Sequence, residues 1–153
     1  NAGEIYSNVA FDKEFMLPDP FSSIKNTVID IGDETFTKGR AHVAIDPTAR
    51  VNRFVKEARD PETAVIYLDF LLGYALHPDP ASVMSKVICE EKERAEKEGR
   101  NLTVIAAICG SDLDPQDFDK QAEILRKSGV ILADTNVKAV NLAMKIIKGA
   151  EER

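Results

Sequence analysis

Five short apolar segments alternate with longer polar stretches along the chain, and their pattern predicts β-strands. They are rich in β-branched residues and comprise Glu4–Val9, Thr27–Ile31, Ala64–Asp69, Leu102–Cys109 and Val130–Ala133. Residues 64–68 and residues 104–108 are apolar without interruption, instead of alternating with polar positions. Strands of that kind are buried on both faces, so the pattern predicts a parallel sheet covered by helices on each side.

Segments with helical spacing lie between the later strands and follow Asp-Pro pairs. The predicted helices are Thr48–Ala58 after Asp46-Pro47, Ala81–Lys97 after Asp79-Pro80, and Gln116–Ser128 after Asp114-Pro115. In each pair the Asp side chain can cap the first N–H groups, and Pro fits the first turn without losing a hydrogen bond. A further helix with one apolar face is expected after residues 134–136. Asp60-Pro61 directly precedes a strand and predicts a turn.

This alternation of strands and helices predicts right-handed crossovers and a three-layer α/β/α sandwich. By fold type we expect one open, parallel, five-stranded sheet in the flavodoxin-like order 2-1-3-4-5, with a switch point between strands one and three. Ala10–Asn26 contains Pro18 and Pro20 and has no helical period, so an irregular or partly helical connection is expected. The 153 residues suit a single domain. Asn1-Ala2 is interpreted as a remnant of a cloning tag.

Charge and composition narrow the classes of partner. A net charge of −6 without a basic stripe argues against nucleic acid. No apolar run approaches the ~20 residues that a membrane span requires, and no secretory signal is present. Cys89 and Cys109 fit a reducing compartment better than a disulfide framework, and we interpret them as small buried hydrophobic residues. We therefore expect a cytoplasmic protein, with homodimerisation left open.

The loops that follow the predicted strands carry the candidate site residues, because open α/β sheets bind ligands beyond the carboxyl ends of their strands. His42, Asp69 and His77 are the candidates for direct catalytic contacts. A phosphate or carboxylate would be bound by Asn8, Gly32, Asp33, Gly73, Gly110, Ser111 and Asp112. Two considerations oppose anion binding: the capping Asp residues compete with an anion, and the glycines can serve tight turns alone.

Individual side chains leave several chemical roles open. His77 suits a phosphate carrier or a general base, because histidine titrates near neutral pH, and it equally suits a hydrogen bond within its loop. Cys109 would act as a nucleophile only if the following helix terminus lowered its pKa. The chain has no dinucleotide fingerprint or Walker-type phosphate loop, and no spacing that is diagnostic of a metal site. We expect no metal, and no cofactor bound by this domain alone.

Several loop sequences together resemble the carboxy-terminal half of FdrA-type proteins. The matching segments are Ile29–Asp33, Phe36–His42, Ile45–Pro47, Glu57–Pro61, Leu68–Tyr74, His77–Ala81, Cys109–Asp112 and Asp114–Gln116, with Gln121. FdrA-type proteins resemble succinyl-CoA synthetases, which couple acyl-CoA formation to a nucleotide through a phosphohistidine. The chain is most similar to the carboxy-terminal domain of the synthetase β subunit, which helps form the subunit interface and faces the phosphohistidine.

The resemblance implies a ligase-CoA-type domain of a larger acyl-CoA synthetase homologue. Such a domain would close a composite active site with other domains of its parent chain or with a partner subunit, and would be inactive alone. CoA and a nucleotide would serve the intact protein, although Gly110–Pro115 contains no histidine to match the phosphohistidine loop. A link of FdrA-type proteins with ureide and purine breakdown implies an alternative, a carbamoyltransferase acting on oxamate or carbamoyl phosphate. A non-catalytic interaction domain is the third hypothesis.

Overall fold

Strands and helices alternate along the chain in a computed structural model, which describes residues 3–151. The strands are β1 (Ile5–Ser7), β2 (Asn26–Val28), β3 (Val65–Leu71), β4 (Thr103–Cys109) and β5 (Ile131–Leu132). The helices are α1 (Glu34–Thr37), α2 (Thr48–Ala58), α3 (Pro80–Lys97), α4 (Phe118–Lys127) and α5 (Asn136–Glu151). All the predicted strands and helices are therefore present, and α1 is an addition. The predicted tag remnant, Asn1-Ala2, lies outside the described residues.

The strands pair in parallel but form two sheets. β3, β4 and β5 make one sheet with β4 in the centre, and β1 pairs with β2 in the other. The predicted neighbours are correct within each sheet, whereas the single five-stranded sheet is wrong for the described residues. The second edge of β1 is already used, because Ser7 bridges to Met16 and its carbonyl oxygen accepts the N–H of Leu17 at 3.0 Å.

Helices cover both faces of the three-stranded sheet. One face packs against α2, α3 and α4 through a core that includes Phe70, Met84, Ile88, Val104 and Leu125. The other face packs against α5, where Ile105 and Ala107 of β4 meet Ala139. The three-layer arrangement is confirmed, and β4 is buried on both faces as predicted. β3 is only half-buried, because it forms an edge of its sheet.

Two of the three predicted Asp-Pro helix starts are confirmed. The Asp79 side chain caps α3 by accepting the N–H of Ser82 at 3.2 Å, and Asp46 accepts the N–H of Thr48 at 3.0 Å. The third start is wrong: α4 begins at Phe118, and its cap is Asp117, which accepts the N–H of Lys120. The residues before it form a turn, in which Asp114 accepts the N–H of Ser111 at 2.6 Å.

Two connecting segments have the predicted character. The connection between β1 and β2 is irregular apart from a 3-10 turn at Lys13–Phe15. At Asp60-Pro61 the chain turns, since the N–H of Thr63 donates to the carbonyl of Asp60 at 3.1 Å. Within residues 3–151, no helix combines the length and the apolar character needed to cross a membrane.

Candidate functional site

Two loops meet at the carboxyl end of β3. One joins α1 to α2 and carries His42, and the other joins β3 to α3 and carries His77. The N–H of His77 donates to the carbonyl oxygen of Ala44 at 2.8 Å, and the N–H of Ala44 donates to His42 Nδ1 at 3.2 Å. Ala44 therefore links the two histidines, which are far apart in the sequence.

Both imidazole rings accept a backbone hydrogen bond at Nδ1. His42 Nδ1 accepts from Ala44, and His77 Nδ1 accepts the N–H of Asp79 at 3.1 Å. A neutral histidine that accepts at Nδ1 carries its proton on Nε2. In the described part of the chain neither Nε2 atom has a hydrogen-bond partner. With Nδ1 accepting, Nε2 is the ring nitrogen that remains to donate to a ligand.

A small cavity lies beside His77. Its walls are formed by Val43, Ala44, Pro47, Arg50, Leu71, His77, Pro80 and Met84. The volume is about 10 Å³, which is room for roughly one water molecule. Arg50 and His77 are the titratable side chains in these walls, so a cationic side chain and an imidazole line the cavity together with apolar residues.

Arg50 enters the cavity wall from the first turn of α2, with a side chain that is 13% exposed. Its Nη1 donates to the carbonyl oxygen of Asp69 at 2.7 Å, and the guanidinium lies 5.7 Å from the ring centroid of Phe70. Burial lowers the pKa of Arg50, and the negative charge of Asp69 opposes this shift without cancelling it. The nearest carboxylate oxygen of Asp69 is 3.7 Å from Nη2 and is half exposed. The charge of Arg50 is therefore only partly compensated within the chain.

The buried side chain of Gln116 holds the beginning of the His77 loop. Its Oε1 accepts the N–H of Gly73 at 3.1 Å, and its Nε2 donates to the carbonyl oxygen of Gly73 at 2.7 Å. The same Nε2 lies 3.3 Å from the carbonyl oxygen of His77. Gln116 thus fixes two points of the loop.

A second buried glutamine, Gln121 of α4, holds the end of this loop. Its Oε1 accepts the N–H of Ala81 at 2.9 Å, and its Nε2 donates to the carboxylate of Asp79 at 3.0 Å. Burial raises the pKa of Asp79, but hydrogen bonds from Ser82 and Gln121 outweigh it and hold that pKa below its usual value. The carboxylate is therefore ionised at neutral pH and keeps the loop attached to α3 and α4.

The amides predicted to bind an anion mostly have partners within the chain. The N–H of Gly32 donates to Asp30 Oδ1 at 2.8 Å, that of Gly73 to Gln116, and that of Ser111 to Asp114. The Asn8 side chain makes two hydrogen bonds to the backbone of Asp30, and Asp33 caps α1 by accepting from Thr35. These five residues use their hydrogen bonds to shape the loops.

Two predicted glycines are required by close packing. A Cβ atom on Gly110 would lie 2.8 Å from Cβ of Leu72, and one on Gly32 would lie 2.7 Å from Nε2 of His42. The close approach to Gly32 places His42 beside the loop after β2. Asp69, Ser111 and Asp112 are exposed at the same end of the β3–β4–β5 sheet as Gly110.

Sequence reasoning missed Arg50 and the two glutamines as parts of the site. Arg50 precedes the buried Phe54 and Ala58 by four and eight residues, so it lies on the inner face of α2. A charged residue in register with an apolar face is a signal that could have found it. The interpretation of the cysteines as buried is also wrong, because Cys89 and Cys109 are exposed free thiols.

Fold and site together define an α/β domain of parallel strands with a small cationic cavity near their carboxyl ends. The chain belongs to the CoA-ligase family, whose model matches residues 9–146. It is 45% identical over 150 residues to the uncharacterized protein YahF of Escherichia coli (strain K12), which covers 98% of this chain. The chain spans 29% of the length of that relative. Its fold is that of a succinyl-CoA synthetase-like domain, as the resemblance implied.

Proposed function

We propose that the chain is the carboxy-terminal ligase domain of an FdrA-like acyl-CoA synthetase homologue. In this proposal it contributes an anion-binding rim to an active site that is completed by other domains of its parent chain or by a partner subunit. The observation that carries the proposal is the cavity lined by both Arg50 and His77, which has room for about one water molecule. Such a cavity fits one oxygen atom of a carboxylate or phosphate.

The size of the cavity is the reason for a composite site. Small-molecule sites usually occupy about 300–1,000 Å³ and bury most of their ligand. A cavity of about 10 Å³ encloses neither CoA nor a nucleotide. The remaining walls of the site would therefore come from other domains or subunits, and the isolated domain would be inactive. CoA and the nucleotide would contact those other walls.

The rim residues divide into roles according to their contacts. Arg50 and His77 would bind the anion directly, and His42 would bind a second ligand group from the neighbouring loop. Asp69 would orient Arg50, because its carbonyl oxygen accepts from Nη1 at 2.7 Å. The exposed Ser111 and Asp112 would contact the domain or subunit that closes the site. Exposed free thiols persist in reducing compartments, which supports a cytoplasmic location.

The carbamoyltransferase alternative is favoured by one specific observation. The Arg50 guanidinium in the cavity wall is suited to one carboxylate oxygen of a small acid such as oxamate, because hydrogen bonds from arginine to a carboxylate are charge-assisted. In that case carbamoyl phosphate would be the second reactant and CoA would have no part in the reaction.

Calorimetric titration of the intact parent protein separates these functions. CoA and carbamoyl phosphate are titrated separately under the same conditions, with Arg50→Met as a variant of the cavity and Arg94→Met as a surface control. CoA binding with micromolar affinity, about −8 kcal/mol, supports the ligase function. Heat with carbamoyl phosphate alone supports the transferase. If neither compound binds, both enzymatic proposals fail and an interaction domain is the better description.

A further inference from the structure

The hydrogen bonds of His77 leave one polar atom available. Its N–H donates to Ala44, its carbonyl oxygen accepts from Gln116, and its Nδ1 accepts the N–H of Asp79. Within residues 3–151, Nε2 has no hydrogen-bond partner. His77 and the largely buried Arg50 line the same cavity, so a ring whose Nε2 has no partner is close to a cation.

We propose that His77 is a fixed hydrogen-bond donor whose Nε2–H group binds, together with Arg50, one oxygen of a carboxylate or phosphate group. His77 then neither carries a phosphoryl group nor removes a proton. This inference deepens the proposed function by naming the ligand class and the role of the histidine. The tautomer itself rests only on the contacts of His77, and it holds whichever reaction the intact protein performs.

The surrounding contacts explain why the other histidine roles do not fit. A phosphate carrier or a general base needs an unprotonated ring nitrogen that faces the ligand. The unprotonated nitrogen of His77 is Nδ1, which faces the N–H of Asp79 at 3.1 Å. Moving the proton from Nε2 to Nδ1 would bring two N–H donors together and leave the Asp79 amide without an acceptor. Gln121 and Ser82 hold the Asp79 side chain, which keeps the Asp79 N–H beside the His77 ring.

Arg50 provides a positive charge in the wall of the same cavity. Its guanidinium is largely buried, and the described residues engage it by one hydrogen bond to the Asp69 carbonyl and a longer contact to the Asp69 carboxylate. The nearby carboxylate of Asp46 accepts the N–H and the hydroxyl of Thr48 with one oxygen, Oδ1, at 3.0 and 2.5 Å. An incoming anionic oxygen would therefore gain the partly compensated charge of Arg50 and the N–H of His77 in one small cavity.

The tautomer can be measured directly, because the chain contains only two histidines. Long-range ¹H–¹⁵N spectra of the 153-residue chain distinguish the two neutral tautomers, and the His42→Gln variant leaves His77 as the single histidine. At pH 8 we expect the Nε2–H tautomer of His77. A spectrum dominated by the Nδ1–H tautomer would overturn the proposal.

Anion binding is tested by titrating inorganic phosphate, and separately acetate, into the same labelled chain. We expect at least one of them to shift the His77 Nε2–H signal, and the anion that does so identifies phosphate or carboxylate as the ligand. Arg50→Met keeps an apolar side chain against Phe70 and should weaken binding about tenfold or more, whereas Arg94→Met on the surface of α3 should not change it. If Arg50→Met lowers the fraction of folded protein, anion binding is compared with that of Arg50→Lys instead.

Variants of His77 distinguish hydrogen-bond donation from packing, with binding of the same anion measured by calorimetric titration because these variants lack the His77 signal. The side-chain amide of His77→Gln retains an N–H donor at the end of the side chain, so binding should be weakened less than threefold. His77→Ala should weaken it by about the same factor as Arg50→Met. If neither anion moves the His77 signal, this inference fails even where the intact protein binds CoA. If the signal moves but the intact protein binds neither CoA nor carbamoyl phosphate, the proposed function fails and the donor role remains.

Discussion

The side-chain amide of Gln116 makes two hydrogen bonds to the backbone of Gly73, a residue 43 positions away in the chain, at 3.1 and 2.7 Å. Neighbouring β-strands exchange a pair of N–H and carbonyl hydrogen bonds in the same way. Here the side-chain amide takes the place of the second strand. It holds the loop that carries His77 against the segment before α4. The position of His77 therefore depends on a residue that does not itself line the cavity.

Replacing Gln116 should destabilise the chain. Gln116→Ala leaves the N–H and the carbonyl of Gly73 without their partner in a largely buried place, which should cost about 1–3 kcal/mol of the free energy of unfolding. Urea denaturation measures this difference. The exposed Asn141→Ala on α5 is a matched carboxamide control and should change stability by less than about 0.5 kcal/mol. Equal effects of the two variants would show that the Gly73 contacts are not stabilising.

Adding a methyl group at Gly110 should also destabilise the chain. The new Cβ would lie 2.8–3.0 Å from the Leu72 side chain, and the nearest atom there is Cβ, which cannot move without the backbone. We expect Gly110→Ala to cost about 1–3 kcal/mol in thermal or urea unfolding. Gly149→Ala in α5 meets no neighbouring atom and should leave stability unchanged or raise it by up to about 1 kcal/mol. Full stability of Gly110→Ala would contradict the close packing.

Asp79 should make a pH-dependent contribution to stability. The pKa of Asp79 is lower in the folded chain than in the unfolded chain, where it is about 4. The stabilisation is therefore complete above the unfolded pKa and disappears as the pH falls through the folded pKa. Asp79→Ala should cost about 1 kcal/mol at pH 7, and partial exposure keeps this figure modest. The difference in free energy of unfolding between the original chain and Asp79→Ala should shrink as the pH falls below 4. Urea unfolding as a function of pH measures it.

Asp79→Asn provides the control for the charge in that experiment. Asn keeps an oxygen that can cap α3 but cannot ionise, so the difference between Asp79→Asn and Asp79→Ala should not vary with pH. A stability difference between the original chain and Asp79→Ala that stays constant from pH 7 to pH 3 would refute the role of the ionised carboxylate.

Both thiols should react in the folded chain. Cys89 on α3 and Cys109 at the end of β4 are exposed, so a thiol reagent such as DTNB should modify two groups per chain without denaturant. Cys89→Ser and Cys109→Ser each leave one thiol and assign the two reactions. A thiol that reacts only after addition of urea would show that its side chain is buried in solution.

The local elements could be predicted because short-range physics decides them. α2 spans the predicted residues Thr48–Ala58, and the Asp46 side chain accepts from the first turn as the Asp-Pro pair indicated. The uninterrupted apolar run of β4 gave a strand buried on both faces. At α4 the same pattern failed, because a second carboxylate, Asp117, was better placed to cap the helix. Spacing alone does not show which of two nearby Asp residues caps the helix.

The pairing of β1 and the set of residues that line the cavity could not be predicted from the sequence. The apolar pattern of residues 4–9 predicts a strand, but it does not specify that Met16 occupies the edge expected to face β3. The sequence likewise points to histidines near the strand ends, without revealing that Arg50 of α2 lies beside one of them. Such contacts join residues whose separation along the chain carries no periodic signal.

Sequence alone thus determined the alternating strands and helices, the parallel α/β class and the loops that carry His42 and His77, since these follow from propensity, periodicity and capping. Only the tertiary structure decided the separation into two sheets, the placement of Arg50 and the use of the predicted loop amides as internal donors. It also decided the histidine tautomer, because a ring nitrogen is protonated or not according to the group that faces it. That group is a backbone N–H brought into place by the whole loop and its two buried glutamines.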